Sequence, residues 1–371
     1  MNLSYWEKKT WFSNIDFCVI GSGIVGLSCA LQLRLDHPNS KIIILDKGVL
    51  PQGASTKNAG FACFGSASEL LSDLEHQIPE EIQSLVKSRY DGLKRLRKIL
   101  GDSNLDYKEY GGYEVFLEED KELFEKCLSK IDIINELVEP VFGKNTFKVE
   151  KNRFQFKKCQ NQIIFNPLEG QIDTGLMMFS LQQRVLNKNI AIINGVKVED
   201  LEPTLNHVKI GLANFEFKAR QVFVATNAFA GQFFDLDLKP ARNQVVITKP
   251  IQNLNIKGVF HLKKGFYYFR NIDNRILLGG GRHLNLEEEN TSEFGITIKI
   301  QNKLVDLLNQ VIFPDKKIEI EDTWSGILGV GKTKTPIIKS IDDRLHCAVR
   351  LGGMGVAIGS NVGAQLSRLA L

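Results

Sequence analysis

The spacing of hydrophobic positions changes several times along the chain. Residues 16–20 (DFCVI) and 41–45 (KIIIL) are short apolar runs that predict two buried strands. Between them, residues 27–35 carry apolar positions at helical spacing, and His37-Pro38-Asn39-Ser40 ends that helix. Residues 81–100 and 119–138 have helical periodicity with charged outer faces, and the Lys-rich stretch 87–98 reads as the wet face of a helix. Residues 255–281 alternate and end in glycines, as a β-hairpin does. Near the end, residues 345–350 predict a strand, followed by Gly352, Gly353 and Gly355 and a helix starting near Val356.

The first strand, helix and second strand enclose Gly21-Ser22-Gly23-Ile24-Val25-Gly26, a full GxGxxG, and the unit closes on Asp46. Each part has a physical purpose. Gly21 permits the tight turn, Gly23 lets the backbone approach a pyrophosphate, and Gly26 lets helix and strand pack closely. The free N–H groups at the start of the helix favour phosphate charge. Asp46 lies 20 residues past Gly26, where an acid binds a ribose hydroxyl pair. The pattern predicts dinucleotide binding; the competing reading is a glycine turn in an unrelated α/β protein. The motif does not separate FAD from NAD, but an acid at position 46 disfavours a 2′-phosphate.

Composition narrows the class without naming it. With 371 residues the chain exceeds what one ordinary core needs, so two domains are expected. The 43% apolar and 24% charged content is that of a globular protein, and a net charge of +4 gives no basic arm for nucleic acid. The six cysteines form no CxxC pair and no His spacing suggests zinc, so no metal site is expected. Buried free thiols fit a reducing cytoplasm. No run reaches the ~18 apolar residues of a membrane span, and the N-terminus lacks the pattern of a secretory signal.

Residues 53–61 (GASTKNAGF) are small and polar and follow Asp46 closely. A plain NAD domain would continue into its next strand; here a loop of small residues is offered that can lie flat against an isoalloxazine ring, which favours FAD. At this point the chain resembles the D-amino-acid-oxidase superfamily of flavoenzymes, which includes glycine oxidase, sarcosine oxidase and γ-glutamylputrescine oxidase. Residues 222–230 (VFVATNAFA) and 240–249 (PARNQVVITK) are similar to the strands around the entry to its substrate domain. Residues 324–336 (WSGILGVGKTKTP) resemble its active-site loop, and residues 351–366 (LGGMGVAIGSNVGAQL) its closing turn and helix. The Ser4-Tyr5-Trp6-Glu7 start looks like the γ-glutamylputrescine oxidase branch.

The resemblance implies an α/β fold, α+β overall: a Rossmann-like FAD domain of the glutathione-reductase-2 type, interleaved with a substrate domain holding a mixed or antiparallel sheet. The FAD domain is expected from residues 1–80, 145–238 and 322–371, the substrate domain from 81–144 and 239–321. FAD, bound non-covalently, is expected to meet Gly21, Gly23, Ile24, Val25, Gly26, Asp46, Lys47, Ala54, Ser55, Asn58, Ala59, Gly60, Val196, Thr226, Gly353, Met354, Gly355, Val356 and Ala357. The closing helix would aim its positive end at the flavin edge where reduction puts negative charge.

The implied reaction is oxidation of a C–N bond in a small amine or amino acid, with oxygen or another acceptor taking the electrons. The substrate pocket is sought at Phe266, Tyr268, Arg282, His283, Arg242 and Leu328. Phe266 and Tyr268 alternate along one strand, and core packing competes as their role. Arg282 and His283 are candidates for an anionic substrate group or for a solvated loop; Arg242 is a third candidate or a structural charge. Two departures from the family matter. Leu328 stands where amino-acid-oxidising members often carry an arginine for the substrate carboxylate, and Ala357 where sarcosine oxidase carries a lysine. Alternatives are an oxidoreductase of the tRNA wobble-uridine side chain and a non-catalytic flavin-bound assembly protein.

Overall fold

The computed structural model describes residues 3–143 and 145–371. Two eight-stranded sheets dominate it. In the first, the strands run Ile337–Asp342, Leu345–Val349, Phe215–Val224, Ile15–Ile20, Ile42–Leu45 and Ala191–Ile193, with the hairpin Val198–Pro203/Val208–Leu212 attached to Phe215–Val224. The central pairs are parallel, in register Val19↔Phe223 and Val19↔Ile44. Their apolar runs lack alternation because both faces are covered, as parallel sheets require. On one face lie the helices Ile24–Asp36, Pro79–Leu100 and Gly355–Ser367.

These helices touch at backbone distance because glycine occupies the crossings. A Cβ on Gly363 would stand 2.5 Å from the Val25 carbonyl oxygen, and one on Gly92 would stand 2.3 Å from the Ala357 oxygen. Ser360 Oγ donates to the Gly92 carbonyl at 2.5 Å and closes the same crossing. The expected position of the first strand–helix–strand unit and of the last strand and helix agrees with these elements to within a few residues.

The second sheet runs Ile320–Val330, Lys239–Thr248, Arg275–Gly280, Tyr267–Ile272, Val259–Leu262, Gly112–Glu114, Gln162–Asn166 and Lys148–Lys151. It is antiparallel except where Val259–Leu262 meets Gly112–Glu114. One face packs on the helix Ile298–Leu307 through an aromatic core in which the rings of Phe260 and Phe269 stack at 4.5 Å and those of Phe260 and Tyr113 at 5.1 Å. The opposite face packs Val245, Leu277 and Tyr268 with Ala59 and Phe61.

Several sequence expectations are revised. Residues 255–281 hold three strands, two hairpins rather than one. The helix expected over 119–138 breaks at Lys130 into Lys121–Ser129 and Ile131–Phe142. Within 87–98, Lys87, Lys94 and Lys98 are exposed but Arg89 is buried. It falls three residues after Val86 and four before Leu93, on the buried stripe of its helix. The strands Gln162–Asn166 and Lys148–Lys151, placed by sequence in the FAD domain, pair within the second sheet, and so does Ile320–Val330. Trp324 lies in that last strand, not in a loop.

Candidate active site: two joined cavities

The first cavity opens at the carboxyl ends of the parallel strands, where the chain turns from Ile20 into the helix at Ile24. Gly21 adopts φ +102°, a region closed to most side chains, and a Cβ there would meet the Ala225 carbonyl oxygen at 2.9 Å. The helix Ile24–Asp36 has no side-chain cap from its own N-terminal residue. Instead Ser55, on the short helix Ala54–Lys57, accepts from the Ile24 N–H at 3.0 Å. Asp46 is fixed by the Ser22 N–H (2.8 Å), the Ser22 hydroxyl (2.6 Å) and the Gly48 N–H (3.0 Å). Lys47 Nζ sits 4.0 Å from the centroid of the Phe229 ring.

The opposite wall is the closing turn. The Gly352 N–H bonds the Gly329 carbonyl at 3.1 Å, and Gly352 and Gly353 take φ +56° and +85°. The helix Gly355–Ser367 then starts without a side-chain cap, its free N–H groups facing the space between the two cavities. Asn227 ties strand to turn, its Oδ1 accepting from the Arg350 N–H at 2.9 Å.

Of the residues expected at the cofactor, Gly21, Gly23, Ile24, Val25, Asp46, Lys47, Ala54, Ser55, Asn58, Val196, Thr226, Gly353, Gly355 and Val356 line this first cavity. Ala59 and Met354 line the second cavity only. Gly26, Gly60 and Ala357 line neither and act in packing; a Cβ on Gly60 would stand 2.4 Å from the Ile172 carbonyl oxygen. Sequence reasoning did not single out Gln52, Phe229 and Gln232, which also line the first cavity. The site fits a dinucleotide on its own chemistry. The Thr226 hydroxyl is buried in its wall with no partner among the described residues, and the glycine-lined turn leaves room that Cβ atoms would fill.

The second cavity adjoins the first; Ala54, Asn58, Leu328, Gly353 and Val356 line both. Asn58 is held rigid, donating to Ser55 O (2.8 Å) and accepting from the Gly60 N–H (2.8 Å) and the Thr174 hydroxyl (2.9 Å). Behind it the buried Arg270 guanidinium bonds the carbonyls of Ala59 and Ile172, the latter at 2.9 Å. Burial lowers the pKa of this arginine to about 10.

The aromatic wall is Tyr268 and Phe61, whose rings meet edge to face at 5.4 Å. Burial pushes the Tyr268 phenol up to about 12, so it remains a hydrogen-bond donor at neutral pH. Phe266 precedes the strand Tyr267–Ile272 at the cavity mouth and is 49% exposed. Arg282 lines this mouth, whereas His283 does not line the cavity and packs its ring 4.6 Å from Phe266. Arg242 belongs to neither cavity. It is buried in a bidentate pair with the fully buried Glu289, at 3.0 and 2.8 Å, so its structural role replaces the expected substrate contact.

Side chains that the sequence did not single out make the polar wall. Glu69 and Asp73 project from one face of the helix Ala67–Asp73, and Lys334 Nζ lies 2.8 Å from each. Burial pushes the Glu69 carboxyl up, but Lys334 and Arg89 outweigh it and leave the group below its usual range; Asp73 stays raised by burial. Deeper in, donor atoms of Cys63, Glu169 and His261 lie within 4.8 Å of one another, a grouping of potential ligands that no sequence spacing reveals. His261 Nε2 is already 3.2 Å from Glu169, whose other oxygen takes the Phe64 N–H at 2.9 Å. Burial opposes a charge on His261, yet Glu169 prevails and raises its pKa; burial raises the Cys63 thiol well above its usual range.

The family described as FAD-dependent oxidoreductase (DAO) matches residues 16–369 of the chain. The chain belongs to this family. FAD is accordingly its cofactor type, and the two-sheet architecture is the family's: L-proline dehydrogenase from P. horikoshii superposes with a TM-score of 0.75 at 17% identity, over 96% of this chain and 93% of that one. Glycine oxidase from Geobacillus kaustophilus superposes with a TM-score of 0.74 at 16% identity, over 96% and 95%. In sequence, the gamma-glutamylputrescine oxidoreductase of Escherichia coli is 21% identical over 383 residues, 95% of this chain and 83% of that protein. At such identities the shared feature is the fold. No helix among the described residues is long and apolar enough to cross a membrane.

Proposed function

We propose that this DAO-family flavoenzyme oxidises the C–N bond of a small amine whose carboxylate, where it has one, lies away from the reacting carbon. The observation that carries this reading is the junction of the cavities. The side chain lining both of them on the strand Ile320–Val330 is Leu328, which has no charge to offer a carboxylate beside the flavin. When bound, FAD supplies the hydride acceptor for a C–H next to nitrogen, and water hydrolyses the resulting imine.

The chain's own groups bind and orient. The Asp46 carboxylate would take the ribose hydroxyls, and the free N–H groups at Gly23–Val25 the pyrophosphate. The N-terminus of Gly355–Ser367 would favour the charge that reduction places on the flavin edge. Tyr268, Phe61 and Val245 form an apolar wall that excludes water and positions the amine, and chemistry of this kind needs orientation more than an acid–base pair. Cys63 is the one cysteine lining either cavity, and burial raises its thiol well above the usual range, away from the reactive thiolate, which supports a non-covalent flavin. Five of them are buried and all six are free, in keeping with a cytoplasmic setting. Oxygen or another acceptor would complete the cycle.

The test is anaerobic reduction of the bound flavin, followed by its visible absorption. Amines without an α-carboxylate, γ-glutamylputrescine first because of the Escherichia coli relative's name, are expected to bleach it. Glycine, sarcosine, D-alanine and proline are expected to do so poorly. Rapid bleaching by the α-amino acids would overturn the substrate reading, and flavin retained in an acid-precipitated pellet would overturn the non-covalent one.

A further inference from the structure

The charged side chains of the second cavity fall into two groups. Lys334 sits between Glu69 and Asp73, and Arg89 Nη1 is 3.8 Å from Glu69, so these two cations and two acids offset one another. Lys57, Lys264 and Arg282 line the same cavity, and among the described residues none has a carboxylate within ion-pair distance. The second group leaves the cavity with uncompensated positive charge.

Arg282 and Lys264 line the second cavity only, whereas Leu328 lines its junction with the first. Arg282 opens a 3₁₀ turn, Arg282–Leu284, directly after Gly281. The Gly281 N–H bonds the Phe266 carbonyl at 2.9 Å, which fastens this turn to the one carrying Lys264 and Gly265. The half-buried Arg282 guanidinium gives one hydrogen bond to protein, Nη1 to Asn290 Oδ1 at 3.2 Å. An arginine has five N–H donors in a planar fork, so the remainder have no acceptor among the described residues. Burial depresses its pKa below the ordinary arginine value, as desolvation without a paired acid must. The carboxylate whose charge acts on it, Glu289, is committed to Arg242. A carboxylate arriving from the cavity would match the fork and offset the desolvation.

We propose that Arg282, supported by Lys264 and walled by Phe266, is an anion subsite that holds a substrate carboxylate at the cavity mouth, several bonds from the carbon that is oxidised at the Leu328 end. The substrate class is then an amine carrying a distal carboxylate, such as an ω-amino acid or an amine conjugated to an acid. This inference rests on the amine-oxidising reading for its turnover arm, while its binding arm is independent of it.

The experiment uses the FAD-loaded protein and its Arg282→Met and Arg282→Gln variants, each checked for an unaltered flavin spectrum and melting temperature. In the binding arm, hexanoate and hexan-1-ol are titrated against the flavin absorption. Hexanoate is expected to bind the wild type more tightly than the alcohol, and both variants to lose about tenfold or more of that preference, the scale of a charge-assisted pair. In the turnover arm, the ratio of half-saturating 6-aminohexanoate to half-saturating hexylamine is expected to rise about tenfold in the variants. Equal binding of hexanoate to wild type and variants would overturn the subsite, as would an equal loss for both amines. If no amine reduces the flavin, the functional reading fails, and hexanoate binding still decides the subsite.

Discussion

The cradle formed around Gly21, Asp46 and Gly353 draws its shape and donors largely from backbone, while the cavity beside it draws them from side chains sent in from distant elements. In the first, turns at positive φ, two helix starts without their own caps and one acid suffice. In the second, charged groups from residues 57 to 334 must meet before the wall exists. Backbone-made sites tolerate wide sequence divergence because most side chains are free to change. Side-chain-made sites carry the selectivity and change from one relative to the next. The family match over residues 16–369 therefore says much about the cofactor, while a fold shared at 16–17% identity says little about the substrate.

The largest effect on cofactor binding should come from filling the backbone-made side. In Gly26→Val a Cβ would need to occupy a point 1.9 Å from the Gly21 carbonyl oxygen. The variant is expected to bind FAD more than about tenfold more weakly, a loss above roughly 1.4 kcal/mol, measured as flavin per chain after gel filtration. Full occupancy would show that the cradle does not depend on that contact.

The next effect belongs to stability and keeps clear of both cavities. Arg242→Met leaves Glu289, fully buried, without its bidentate partner. Removing one member of a buried pair costs about 3–5 kcal/mol, to be read from denaturant unfolding. A much smaller loss would mean that Thr297 or water satisfies Glu289, and would reopen Arg242 as something other than a structural charge.

A smaller effect is expected from His346, in the strand Leu345–Val349 of the first sheet. It bonds Ser340 Oγ at 2.8 Å and Gln221 Oε1 at 3.2 Å, and burial lowers its pKa to about 4 from an ordinary value near 6.5. Between these values the unfolded chain binds the extra proton and the folded chain does not. Its contribution to stability is therefore complete above pH ~6.5 and is lost as pH falls toward 4. The melting temperature of wild type should drop more steeply over that window than that of His346→Asn; parallel curves would contradict the assignment.

The same contrast explains what could be read in the sequence. The glycine turn, its strand and helix, Asp46 and the closing turn are legible because each is local and each residue type answers a backbone need. The polar wall is not local. The spacing of Glu69 and Asp73 by four places them on one helix face, but nothing in the chain says that Lys334 meets that face. The grouping of Cys63, Glu169 and His261 likewise arises only from sheet pairing. Arg89 was hidden in a basic run, although its place on the apolar stripe with Val86 and Leu93 was a readable sign of burial. Arg242 misled because a charge on a strand entering a substrate domain does not reveal Glu289, 47 residues later, as its partner.

The most direct measurement on the central claim compares wild type with Leu328→Arg in anaerobic flavin reduction, using sarcosine and γ-glutamylputrescine side by side. The account predicts that the wild type is bleached by the amine in preference to sarcosine, and that an arginine at the junction of the cavities shifts the preference toward sarcosine by about tenfold or more, as a new charge-assisted pair should. A wild type that prefers sarcosine, with no change of preference in the variant, would contradict the claim that Leu328 sets which carbon faces the flavin.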